Sequence, residues 1–159
     1  MNRLRTIAMT LAALAVPAAA YSAFMPHPAS DACFVSDSAS YRIAPGTASP
    51  DFRIKIAAEE ARADLRMQLV DRPEMADFVL VDDGGDGPGC QPSARTVTID
   101  AGGAVRADVT VALTNDTDAA DYRLYVRSTR FSPQDAMALV AALWKSSERH
   151  QIAAAESAR

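Results

Sequence analysis

Four side chains in the second half of the chain, Arg123, Tyr125, Arg127 and Arg130, are of the types that hold an anion or a sugar. In the run DYRLYVR the apolar Tyr122, Leu124 and Val126 alternate with Arg123, Tyr125 and Arg127. A strand would therefore put both arginines and a tyrosine on one side, with successive side chains about 7 Å apart. Guanidinium groups offer planar donor forks to carboxylate or phosphate, and a phenol ring offers a flat platform. The plainer reading is a solvated face whose arginines pair with local carboxylates, and the chain has fifteen aspartates.

Other constellations are incomplete. The stretch Asp82-Asp83-Gly84-Gly85-Asp86-Gly87 has the carboxylate and glycine mixture of a calcium loop, but Gly84 stands where an EF-hand needs an acidic or amide residue and Ser93 where it needs Glu. Asn115, Asp116, Thr117 and Asp118 likewise offer oxygens without a full pattern and read as an Asx-type turn. No GxxxxGK[ST] or GxGxxG occurs, so the glycines do not define a phosphate loop. His27 and His150 lie far outside the β-rich region, which leaves a Ser or Cys nucleophile without a base. Neither a cofactor nor a metal is implied.

Cys33 and Cys90 are the only cysteines, and two thiols without neighbouring histidines make half a zinc shell. Paired as a disulfide across 57 positions, they would stabilise the fold by about 4 kcal/mol through lost chain entropy. Such a bond needs an oxidising compartment. The first twenty residues fit that requirement. Asn2, Arg3 and Arg5 precede an apolar run, Pro17 breaks it, and Ala18-Ala19-Ala20 leads to Tyr21. This is the order of a secretory signal peptide, and its core is shorter than the roughly twenty residues that span a bilayer. The expected product is a periplasmic or secreted protein that keeps no stable membrane span once residues 1–20 are removed. Sixteen basic against twenty acidic residues argue against nucleic acid as a partner.

The elements that would position these residues follow from periodicity. Residues 21–50 are rich in Ser, Ala and Pro and read as an extended leader, with a possible short strand near Tyr41. At residues 51–56 the apolar Phe52, Ile54 and Ile56 alternate with charged residues, the period of a half-buried strand. Residues 63–81 then align without a gap to residues 107–125, with six of nineteen positions identical: Ala63/Ala107, Asp64/Asp108, Leu69/Leu113, Ala76/Ala120, Asp77/Asp121 and Leu80/Leu124. The repeat resolves an ambiguity. Ala57, Ala61, Leu65 and Leu69 alone could mark a helix, but the counterparts Val109, Val111 and Leu113 alternate strictly and favour a strand. Residues 77–81, DFVLV, carry apolar side chains on both faces and predict a central, doubly covered strand.

With a further strand before each unit, the expectation is an α+β domain. Its sheet is single and mostly antiparallel, with about six strands across residues 51–131 and an internal repeat. A C-terminal helix backs it over residues 132–159, capped by Ser132 with Pro133 and Asp135 in the first turn. Export, small size and incomplete catalytic motifs predict a binding or accessory protein of the bacterial cell envelope, more readily than an enzyme. Its partner would be another envelope protein or an anionic glycan. The alternative is a carboxylate-dependent hydrolase of envelope polysaccharide or peptide.

Overall fold

The computed structural model describes residues 33–36, 39–81, 90–100 and 106–157, with side chains as far as Arg149. The expected signal peptide, residues 21–32, the glycine-rich stretch 82–89 and the side chain of His150 lie outside the described residues. Strands β1 (Cys33–Ser36), β2 (Ala39–Ile43), β3 (Phe52–Ala57), β4 (Leu65–Leu69), β5 (Phe78–Val81), β6 (Arg95–Asp100), β7 (Val109–Leu113) and β8 (Tyr122–Arg127) precede helix α1 (Pro133–Ser157). The fold is α+β, one curled sheet with a C-terminal helix.

The sheet differs from the expected six antiparallel strands. It has eight, in the order β1-β2-β6-β3-β7-β4-β8-β5. Only β1 and β2 run antiparallel, and every other neighbouring pair is parallel. The two repeat units are both strand–turn–strand, with Leu65, Met67 and Leu69 in β4 where the second unit has Val109, Val111 and Leu113 in β7. They do not sit side by side. Strands of the first half alternate with strands of the second, like the threads of a two-start screw.

Short connections suggested antiparallel pairing because a parallel crossover ordinarily needs a dozen or more residues. Stagger removes that need here. Ile43 and Phe52 both pair with Val97, Ile56 and Leu65 with Val111, and Leu69 and Phe78 with Leu124. After nine residues the chain is back at the same height two strands over, a sideways step of about 10 Å that a loop can make. The connections pass over the strand between. A 3-10 turn at Glu60–Arg62 packs on β7 and another at Pro73–Met75 packs on β8. Residues 114–121 cross β4, where Gln68 Nε2 donates to the Asn115 carbonyl at 3.4 Å and Thr117 Oγ1 at 3.2 Å.

This topology carries a 13-residue period that the longer repeat contains. An Asp stands immediately before a strand at Asp51, Asp64 and Asp77, and again at Asp108 and Asp121, each followed by an apolar-any-apolar triplet. Every one of these carboxylates accepts the backbone N–H of the second strand residue on the preceding neighbour. The bonds are Asp51 with Thr96 at 2.7 Å, Asp108 with Arg53 at 2.8 Å, Asp64 with Thr110 at 2.7 Å, Asp121 with Arg66 at 2.7 Å and Asp77 with Arg123 at 2.8 Å. In the last four the aspartate's own amide returns a bond to the same residue's carbonyl, each at 2.8 Å. The carboxylates thus satisfy strand-end donors, as side-chain caps do for helices.

Helix α1 opens with the expected cap. Asp135 accepts from the Ser132 amide at 2.8 Å, and Ser132 Oγ accepts from the Asp135 amide at 3.1 Å, a reciprocal box. Ala136, Met137, Ala138, Leu139, Val140, Ala141 and Ala142 are all buried. A helix apolar all round must be enclosed, and the curl of the sheet encloses it, against Tyr41, Phe52, Ile54, Met67, Val97, Val109, Val111 and Leu124. Four alanines in those nearly two turns of helix let the strands approach closely. The Cys33–Cys90 disulfide, with Cα atoms 5.0 Å apart, ties β1 to the segment leading into β6. No helix of the described residues is long and apolar enough to cross a membrane.

The expectation of a central, doubly covered strand at 77–81 is overturned. β5 lies at the edge, with Val79 and Val81 exposed. An apolar run shows that neither face is polar; it does not say whether the chain's own elements cover them.

Candidate functional site

The outer face of β8, away from the helix, carries the sequence-predicted residues. Leu124 is fully buried and Tyr122 and Val126 pack against the core, so Arg123, Tyr125 and Arg127 face outward as the alternation requires. Trp144 belongs to the helix side and does not cover them. Arg123 is committed to Asp77: Nε donates to Oδ2 at 3.2 Å and Nη2 to Oδ1 at 3.0 Å, a fork across to the base of β5. Hydrogen bonds from the Arg123 side chain and amide hold the Asp77 carboxyl below its ordinary value, and Asp77 raises the Arg123 guanidinium in return. Arg130 lies beyond the end of β8, in the turn that Ser128 closes by accepting the Arg130 and Phe131 amides at 3.1 and 2.9 Å. It is not in the row of the other three.

Strand register sets their neighbours. Val79 is opposite Tyr125 and Val81 opposite Arg127, so two exposed valines extend the face of β8 to the sheet edge. The tyrosine lies between apolar and cationic neighbours. Sequence reasoning found the β8 residues but missed the β5 contribution, because it assigned residues 77–81 to the sheet centre. The signal available was the 13-residue spacing of Asp before a strand, at Asp51, Asp64 and Asp77, which puts Val79 in the place of Arg53 and Arg66.

Beneath this edge runs a small apolar groove of about 30 Å³. Its lining includes Phe34 of β1, Phe78 and Leu80 of β5, Val126 of β8 and Leu139 and Val140 of α1. Sheet curvature therefore brings side chains of both edge strands to one cleft. Among the described residues no cluster of His, Cys, Asp and Glu is arranged to hold a metal. Five aspartates that composition offered as catalytic carboxylates, Asp51, Asp64, Asp77, Asp108 and Asp121, are spent on strand ends.

No protein-family model, no curated protein and no solved structure matches this chain.

Proposed function

We propose that this is an exported, non-catalytic binding or accessory protein of the bacterial cell envelope, which presents the outer face of β8 and β5 to its partner. The observation that carries the reading is the patch of Val79 and Val81, 50% and 40% exposed, beside Tyr125 and Arg127. Apolar side chains grouped at one sheet edge next to an aromatic and a cation suit an interaction surface better than a solvated wall. A disulfide supports an oxidising compartment, and the basic-then-apolar opening of the sequence supports export to it. The partner classes that suit the patch are another envelope protein and an anionic glycan.

Affinity capture from envelope extracts tests the proposal, with an untagged strain as control and a variant carrying Tyr125→Ala and Arg127→Gln. Capture of the same protein or glycan by the native chain, and its loss in a variant that melts within a few degrees of the native protein, is expected. Undiminished capture by the variant removes this face from the reading, and turnover of cell-wall material by the pure protein removes the non-catalytic reading.

A further inference from the structure

The Asp-capped seam between the two halves stops one step short of a partner. Along the sheet, Thr96 receives Asp51, Arg53 receives Asp108, Thr110 receives Asp64, Arg66 receives Asp121 and Arg123 receives Asp77. The next residue in the series is Val79 of β5. By its place in the 13-residue period its amide and carbonyl point to the outer edge, as those of Arg53 and Arg66 point to Asp108 and Asp121. Among the described residues no aspartate stands opposite it. The alternation of halves calls for a second-half strand at this place, but 13 residues after Asp121 the chain is already in α1.

From this we infer that the open edge of β5 receives an extended segment of a partner protein, added as a ninth strand parallel to β5. The recognition chemistry is that of the five filled places: an Asp, then apolar-any-apolar. The partner's carboxylate accepts the Val79 N–H and its Asp amide donates to the Val79 carbonyl. Its apolar positions turn inward over the groove of Phe34, Phe78, Leu80, Leu139 and Val140. A second observation agrees. The outward residues at the same places in β3 and β4 are Arg53, Lys55, Arg66 and Gln68, whereas β5 has Val79 and Val81. Over β4 a crossover loop covers this face through Gln68, and the valines of β5 await equivalent cover. The docking groove continues the seam that already joins the halves, and the inference rests on the binding-module reading above.

The probe is a synthetic peptide with the sequence of residues 119–127, AADYRLYVR, the segment that fills the equivalent place beside β4. Titrated against the disulfide-bonded mature protein, it should bind and should slow hydrogen exchange at the Val79 amide. A peptide with its Asp changed to Ala, and a scrambled peptide, should bind at least tenfold more weakly. Val79→Pro removes the edge donor without touching the β8 pairing. It should lower affinity at least tenfold with an unchanged far-ultraviolet spectrum, which also separates edge addition from exchange with the native β8. Equal binding of native and scrambled peptides overturns the inference, as does full affinity in a folded Val79→Pro protein. A chain that dimerises without peptide, and becomes monomeric with Val79→Pro, assigns the edge to a second copy and overturns it too. Envelope capture that depends on Tyr125 and Arg127 but survives Val79→Pro would leave the binding reading intact and remove only the strand-addition model.

Discussion

Asp121 illustrates how one residue type can be prominent in a sequence for a reason other than catalysis. Its carboxylate accepts the Arg66 amide at 2.7 Å and its own amide donates to the Arg66 carbonyl. Asp121→Ala strands one donor at a strand end and should cost about 1–2 kcal/mol. Asp71→Ala, whose side chain is 91% exposed, should cost less than about 0.5 kcal/mol. Urea unfolding of the two variants measures the contrast. The same caps set the acid response. Asp51, through its bonds from the Thr96 amide and hydroxyl, and Asp77, through Arg123, titrate below the ordinary aspartate value of 3.8. Depressed in the folded state, they contribute stability that is complete above the unfolded value and is lost as pH falls through the folded one. The urea midpoint should hold steady from pH 7 to about 5 and decline below pH 4. Replacing both by Asn should flatten that decline. The sequence revealed which face of β8 is polar, since alternation alone decides it. It could not reveal that Arg123 is held by Asp77, because the two are 46 positions apart and meet only through the interleaving.

At the scale of elements, the helix and most strand positions were legible, and the pairing was not. Ser132, Pro133 and Asp135 mark a helix start whose chemistry is local, and Phe52, Ile54 and Ile56 mark a strand by simple alternation. Parallel or antiparallel sense depends on stagger, which no short window contains. β5 was misplaced for a related reason: its uncovered valines look like core until its position is known. Two measurements bear on the elements. Leu124→Ala, at a fully buried position in β8, should cost about 2–5 kcal/mol, read by thermal or urea unfolding. Cys33 and Cys90 should resist thiol labelling in denaturant until reductant is added, and reduction should lower stability by up to about 4 kcal/mol.

For the whole molecule the decisive fact is the absence, among the described residues, of pairing within either half except β1 with β2. Strands β3, β4 and β5 have only second-half neighbours. A polypeptide of residues 21–85 or of residues 86–159 should therefore fail to unfold cooperatively on its own. The two mixed under oxidising conditions should recover a single transition by circular dichroism. Contacts between residues so far apart in sequence also predict slow folding for a domain of this size.

A two-start arrangement has a further effect on a chain that appears N-terminus first, as every chain does when it leaves the ribosome. Through the first eighty or so residues the emerging polypeptide can make one hairpin and no other sheet, because each later strand waits for a mate that has not been synthesised. The sheet can complete only when Arg127 is free, and the enclosed helix follows it. Vectorial synthesis thus holds β3, β4 and β5 unpaired until β6, β7 and β8 emerge, and then closes the sheet strand by strand between Arg95 and Arg127.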